Sequence, residues 1–187
     1  MNKKSKDYII RLSCMAMLIA LEVVLNRFCS INTQFLKIGF GFVPAVMAAY
    51  LYGPLPAGIV WGLADFIGAN VFPVGAYHPG FTLCNFAMGV IYGIFLHGRK
   101  AEGSKILIYA TIPAVINSIV FGLLLNTWWV SMLYGSRTYI GWFVYRLPQY
   151  AILIPVNILL IPAILRLGKE LERYAAPIKV KKAWKLL

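Results

Sequence analysis

Acidic residues are scarce in this sequence: six among 187, against eighteen lysines and arginines. Histidine is scarcer still, and neither His78 nor His97 has a carboxylate at a spacing that would make a general base or a metal-ligand set. The three cysteines, Cys14, Cys29 and Cys84, form an odd set without metal-ligand spacing and read as small apolar fillers. No G-x-x-x-x-G-K-[ST] stretch is present, so the chain holds no ATP in a P-loop of its own. These absences argue against an enzyme, and they call for no cofactor and no metal.

What is abundant is apolar. With 60% hydrophobic and 13% charged residues, the chain has too little polar surface to coat a soluble globule. Six apolar stretches, at about 9–28, 38–53, 55–72, 81–97, 106–134 and 140–167, use most of the length, given that a helical span needs roughly 20 residues. The expectation is an all-α integral membrane protein, a compact bundle of six transmembrane helices forming one domain over residues 1–187. The connections are short, and Gly53-Pro54-Leu55-Pro56 nearly abolishes the one between the second and third spans. Arg11 and the order of Ser13-Cys14 before the apolar run favour an uncleaved span over a signal peptide.

Short cytoplasmic loops are enriched in Lys and Arg. Fourteen of the eighteen bases precede the first span, follow the fourth or follow the sixth, leaving Arg27, Lys37, Arg137 and Arg146 at the other side. Both termini are therefore expected in the cytoplasm. The net charge of +12 flanks spans instead of forming a stripe, so anionic lipid headgroups of the bilayer are the expected partner and nucleic acid is not. The basic tail at 168–187 is expected to lie on the cytoplasmic leaflet.

Within the spans, polar residues stand out because each is costly at membrane depth. Gly58, Gly62, Asp65 and Ala69 are spaced by four, three and four, which sets one carboxylate on a face of small residues. Asp65 thus faces protein or a cavity, either as a ligand acceptor or as a structural salt-bridge or hydrogen-bond partner. Asn85, Gly89 and Gly93 repeat the device in the fourth span. Glu22, near the end of the first, reaches interfacial water or pairs with a base such as Arg27. Ser13, Ala16 and Ala20 share a face that permits close helix approach, inside the bundle or against a partner subunit. Pro148, Pro155 and Pro162 are expected to bend or break the sixth span. Just before them, Arg146, Gln149 and Tyr150 share one face.

Candidate binding groups gather toward the external side. Arg27, Lys37, Arg146 and Arg137 are cations, Asp65 an acceptor, and Asn85, Asn126 and Gln149 amides. Phe72, Tyr77, Phe81, Trp128, Trp129 and Tyr150 are rings, and His78 sits between prolines in the external loop. Trp128 and Trp129 also fit a role as interfacial anchors. Such a set suits a ligand with a flat hydrogen-bonding ring at one end and carboxylates at the other.

From Lys37-Ile38-Gly39-Phe40 through Gly53-Pro54, Asp65, Phe72-Pro73-Val74-Gly75 and Tyr77-His78-Pro79-Gly80-Phe81-Thr82-Leu83 to Gly89-Val90-Ile91-Tyr92-Gly93, the chain resembles a substrate-binding (S) component of the energy-coupling factor (ECF) vitamin importers, and within that family the folate-specific members. The stretch Ala16-Met17-Leu18-Ile19-Ala20 matches the family's A-x-x-x-A patch. The resemblance implies a multi-pass protein of a prokaryotic cell membrane that captures folate outside and docks on a membrane scaffold subunit, with two separate ATPase subunits driving the cycle. It implies Asp65 on the pterin, the aromatic loop residues in stacking and closure, and Arg27, Lys37 or Arg146 on the glutamate end. The rivals are an S component for another vitamin and a proton- or sodium-coupled secondary transporter using Asp65.

Overall fold

The computed structural model describes residues 3–32, 37–99 and 105–174. Helix α1 spans Lys3–Arg27, and a two-residue antiparallel pair follows, β1 (Ile31–Asn32) with β2 (Lys37–Ile38), in which Ile31 faces Ile38 and Asn32 faces Lys37. Then come α2 (Phe42–Tyr52), α3 (Pro54–Val71) and α4 (Pro79–Leu96). A fifth rod runs through α5 (Lys105–Ile116), a π-helical segment (Asn117–Leu125) and α6 (Asn126–Tyr134), and a sixth is α7 (Tyr139–Tyr174). Six helical rods thus account for nearly all of the described residues. The part of the basic tail at 175–187 lies outside them.

The polarity of the bundle is inverted relative to a water-soluble protein. Met17 is 71% exposed and Leu159 74%, whereas Glu22 is wholly buried. A helix that turns its aliphatic residues outward and its carboxylate inward is solvated by lipid. Four helical stretches are long and apolar enough to cross a membrane: Ser5–Arg27, Pro79–Leu96, Ile106–Tyr134 and Tyr139–Glu170. Helix α3, continuous over 18 residues, carries the polar residues Asp65 and Asn70.

Helix α2 is shorter than the apolar run suggests. Its eleven residues cover about 16 Å, because the chain leading in is taken up by β2 and by Gly39 and Gly41. Gly41 presses on α1, where a Cβ would come within 3.1 Å of both Asn26 and Glu22. Apolar on all sides, α2 forms the centre of the bundle, with Ala45, Val46, Ala48 and Ala49 fully buried.

A single residue joins α2 to α3. Gly53, at φ 91°, closes one helix with its N–H on the Ala49 carbonyl and opens the next, which Pro54 then enters with its fixed φ. The hairpin of α3 and α4 is the most extensive helix pair. Gly58 lies against Phe86 and Val90, a Cβ on Gly89 would stand 2.5 Å from the Ala57 carbonyl oxygen, and Gly93 meets Pro54. The small-residue faces read in the third and fourth spans are thus the two surfaces of one close crossing.

Helix α7 runs unbroken through Pro148, Pro155 and Pro162, contrary to the expectation of a break. Each proline forfeits only its own N–H bond, and the intervening turns keep theirs. The irregularity falls instead on the preceding rod. Four residues beyond Pro113 the turns widen, and the Asn126 N–H still reaches back five residues to the Phe121 carbonyl.

Candidate functional site

Between α1, α3, α4, the π-helical segment, α6 and α7 lies a cavity of about 310 Å³, covered by residues 74–77 of the α3–α4 connection. Its volume is that of a small-molecule site. The lining reaches from Arg146 to Asn157 on α7, eleven residues or about 16 Å along the helix, so the space is elongated.

The charged lining residues, Glu22, Arg27, Asp65 and Arg146, come from three helices. Asp65 is 6% exposed, and its Oδ2 accepts a hydrogen bond from Thr82 Oγ1 at 2.8 Å. Arg146 is 7% exposed; its Nη1 donates to Thr127 Oγ1 at 3.1 Å and its Nη2 to Tyr150 Oη at 3.2 Å. Arg27, the last residue of α1, lies along Gly68, where a Cβ would stand 2.8 Å from its Nε. The absence of a side chain at 68 is what lets the guanidinium pass into the cavity wall. Among the described residues neither arginine forms an ion pair with a carboxylate. Two guanidiniums without an ion pair among the described residues, in a lining that also holds Glu22 and Asp65, offer charged donors to a carboxylate-bearing ligand.

Much of the remaining lining is amides and rings. Asn126 Oδ1 and Asn157 Oδ1 are buried with no protein donor among the described residues. Asn117 donates from Nδ2 to the Met88 carbonyl at 3.0 Å, tying the π-helical segment to α4. Trp61 and Tyr92 stack at 5.9 Å in the wall. Gly122 accommodates the Tyr150 ring, which would touch a Cβ there at 2.5 Å. The cavity lid is tethered as well: the Ala76 N–H donates to Tyr134 Oη at 3.1 Å.

Of the residues singled out in the sequence, the structure brings Arg27, Asp65, Tyr77, Phe81, Asn85, Asn126, Arg146, Gln149 and Tyr150 to this one cavity. Lys37 is on β2, with its side chain outside the described atoms. Phe72 stands apart, edge-on to Phe28 at 5.2 Å, and Trp128 is half exposed with its edge toward Tyr139. His78 and Trp129 stack on each other at 4.7 Å behind the cavity wall, where His78 Nδ1 accepts the Gly80 N–H and caps α4. Ser13, Ala16 and Ala20 lie exposed on the outer face of α1.

The model of the ECF transporter substrate-specific component matches residues 11–165. The chain belongs to this family. Members of the ECF substrate-specific family are prokaryotic membrane proteins that bind substrate for transport and are not enzymes. Among curated relatives, the folate transporter FolT of Clostridium novyi (strain NT) is 40% identical over 158 residues, covering 84% of this chain and 89% of the relative. The folate transporter FolT of Leuconostoc mesenteroides is 28% identical over 149 residues, covering 77% and 78%. Among solved structures, FolT bound with folic acid superposes with a TM-score of 0.74 at 32% identity, over 85% of this chain and 92% of that one. The S component of a bacterial ECF transporter shares the fold, with a TM-score of 0.55 at 24% identity over 93% and 99%.

Within this ECF substrate-specific chain, several lining residues were not singled out from the sequence as binding groups: Asn26, Trp61, Tyr92, Ser118, Tyr134 and Asn157. Asn157 carried a legible signal, an amide in the middle of an apolar span. Trp61 and Tyr92 carried none, since an aromatic in a span is ordinary.

Proposed function

We propose that this chain is the folate-binding subunit of an ATP-driven ECF importer, a single membrane domain that captures folate at the external face and passes it inward on a scaffold subunit powered by two ATPases. The observation that carries the reading is the pair of cavity arginines, Arg27 and Arg146, without an ion-paired carboxylate among the described residues, in a cavity that also presents the Asp65 carboxylate. Folate has the matching polarity: a flat pterin with adjacent N–H donors at one end and glutamate carboxylates at the other. Kinship to two folate transporters supports the same ligand.

In this reading Asp65 accepts from the pterin edge, Phe81 and Tyr77 flank the ring plane, and Arg146 and Arg27 take the glutamate. Water is displaced from a low-dielectric wall, which strengthens each of these contacts. The six rods are six spans, with the base-rich ends of α1 and α7 in the cytoplasm. The exposed stripe of Ser13, Ala16 and Ala20 is the surface offered to the scaffold subunit.

Trp61 in the wall gives a direct assay. Titrating the purified chain with folate should quench tryptophan fluorescence saturably, while thiamine, riboflavin and pantothenate leave it unchanged. Silence to folate with a response to one of the others would move the substrate and overturn the folate reading.

A further inference from the structure

Thr82 does not line the cavity, yet it holds the cavity's acid. Its Oγ1 lies 2.8 Å from Asp65 Oδ2 and 3.0 Å from Tyr77 Oη. A hydroxyl carries one proton and an ionised carboxylate only accepts, so the Thr82 proton is directed at Asp65 and the Tyr77 O–H donates to Thr82. The result is a one-way chain, Tyr77 to Thr82 to Asp65.

Both upstream members are themselves fixed. Tyr77 belongs to the lid segment, and Phe66 packs against its ring at 6.2 Å. Thr82 sits in the first turn of α4, which His78 caps and Trp129 braces by stacking on that imidazole. The terminal torsion of an aspartate is broad and soft, so an unsupported carboxylate would have to be ordered when ligand arrives. With one lone pair of Oδ2 taken by Thr82, Oδ1 and the remaining lone pair of Oδ2 are left to accept side by side from a ligand at the cavity that Asp65 lines.

We infer that Thr82 and Tyr77 are positioning residues for substrate recognition: they preset the Asp65 carboxylate to accept two adjacent N–H donors of a flat heterocycle, and they make that orientation depend on the closed lid. The inference rests on Asp65 accepting from the substrate, as proposed above. It accounts for a polar chain within a helix pair that otherwise packs through glycines.

The test is folate titration of Thr82→Val, Thr82→Ser and Tyr77→Phe, each made with Asp65 and with Asp65→Asn. Thr82→Val should weaken binding about ten-fold, the usual scale for a lost hydrogen bond to a charged group. Tyr77→Phe should cost about three-fold, Thr82→Ser should stay close to wild type, and in the Asp65→Asn background all three should have no further effect. Wild-type affinity in Thr82→Val, failure of Thr82→Ser to rescue, or an undiminished loss beside Asp65→Asn would overturn the positioning role. If Thr82→Val does not fold, Tyr77→Phe, a change confined to the lid, decides by the same cycle. Absence of folate binding by the wild type would instead sink the substrate reading.

Discussion

Replacing Arg146 by Met tests the cavity electrostatics most directly. The guanidinium is 7% exposed and spends two N–H groups on Thr127 and Tyr150, at 3.1 and 3.2 Å, while its Nε has no partner among the described residues. Truncating one partner of a buried, hydrogen-bonded charge pair costs about 2–5 kcal/mol. Arg27 lines the same cavity and still holds a cation near the ligand carboxylates in the variant, so the low half of that range applies. Folate affinity should fall by about 30- to 150-fold, corresponding to about 2–3 kcal/mol. Esterifying the ligand carboxylates supplies the second edge of a cycle: the diester should bind wild type weakly and lose little more in Arg146→Met. The ligand-free variant should be at least as stable as wild type in a detergent unfolding scan, because a buried charge with no ion pair among the described residues has been exchanged for an apolar chain of similar length. Fluorescence titration of the four combinations reads the coupling. Equal losses for folate and its diester would show that Arg146 is a structural support of Thr127 and Tyr150, and the anion-site reasoning would fall.

Three further outcomes follow from the packing. Gly68→Val should displace the Arg27 guanidinium from its groove and weaken folate binding about ten-fold, while shifting the unfolding midpoint little; unchanged affinity would remove Arg27 from the site. Gly89→Val places methyl groups on the Ala57 carbonyl at the α3–α4 crossing and should destabilise the bundle by about 1–3 kcal/mol or more, measured as a lower unfolding midpoint with or without ligand. Ala16→Leu with Ala20→Leu, on the exposed face of α1, should leave folate binding intact and abolish uptake in vesicles that carry the scaffold and ATPase subunits. Uptake at the wild-type rate would exclude this face from docking.

Composition and local spacing alone determined the solvent of this protein, its helical content and the inward side of several helices. A chain this apolar has no soluble solution, and four-residue periodicity places Asp65 with Gly58 and Gly62 whatever the bundle around it. The motif run from Lys37 to Gly93 carried the family. Tertiary structure decided which polar residues meet. Trp128 and Trp129 are neighbours in sequence that a helix turns about 100° apart, and the packing of α6 decides that Trp128 faces outward while Trp129 braces His78. Arg27 joins Asp65 only because Gly68 leaves a groove, and Arg146 joins both from more than eighty residues farther along the chain. Spacing along one helix reports a face. The partner of that face is set by how glycine surfaces and ring volumes dock between helices, a long-range packing term that no local window contains.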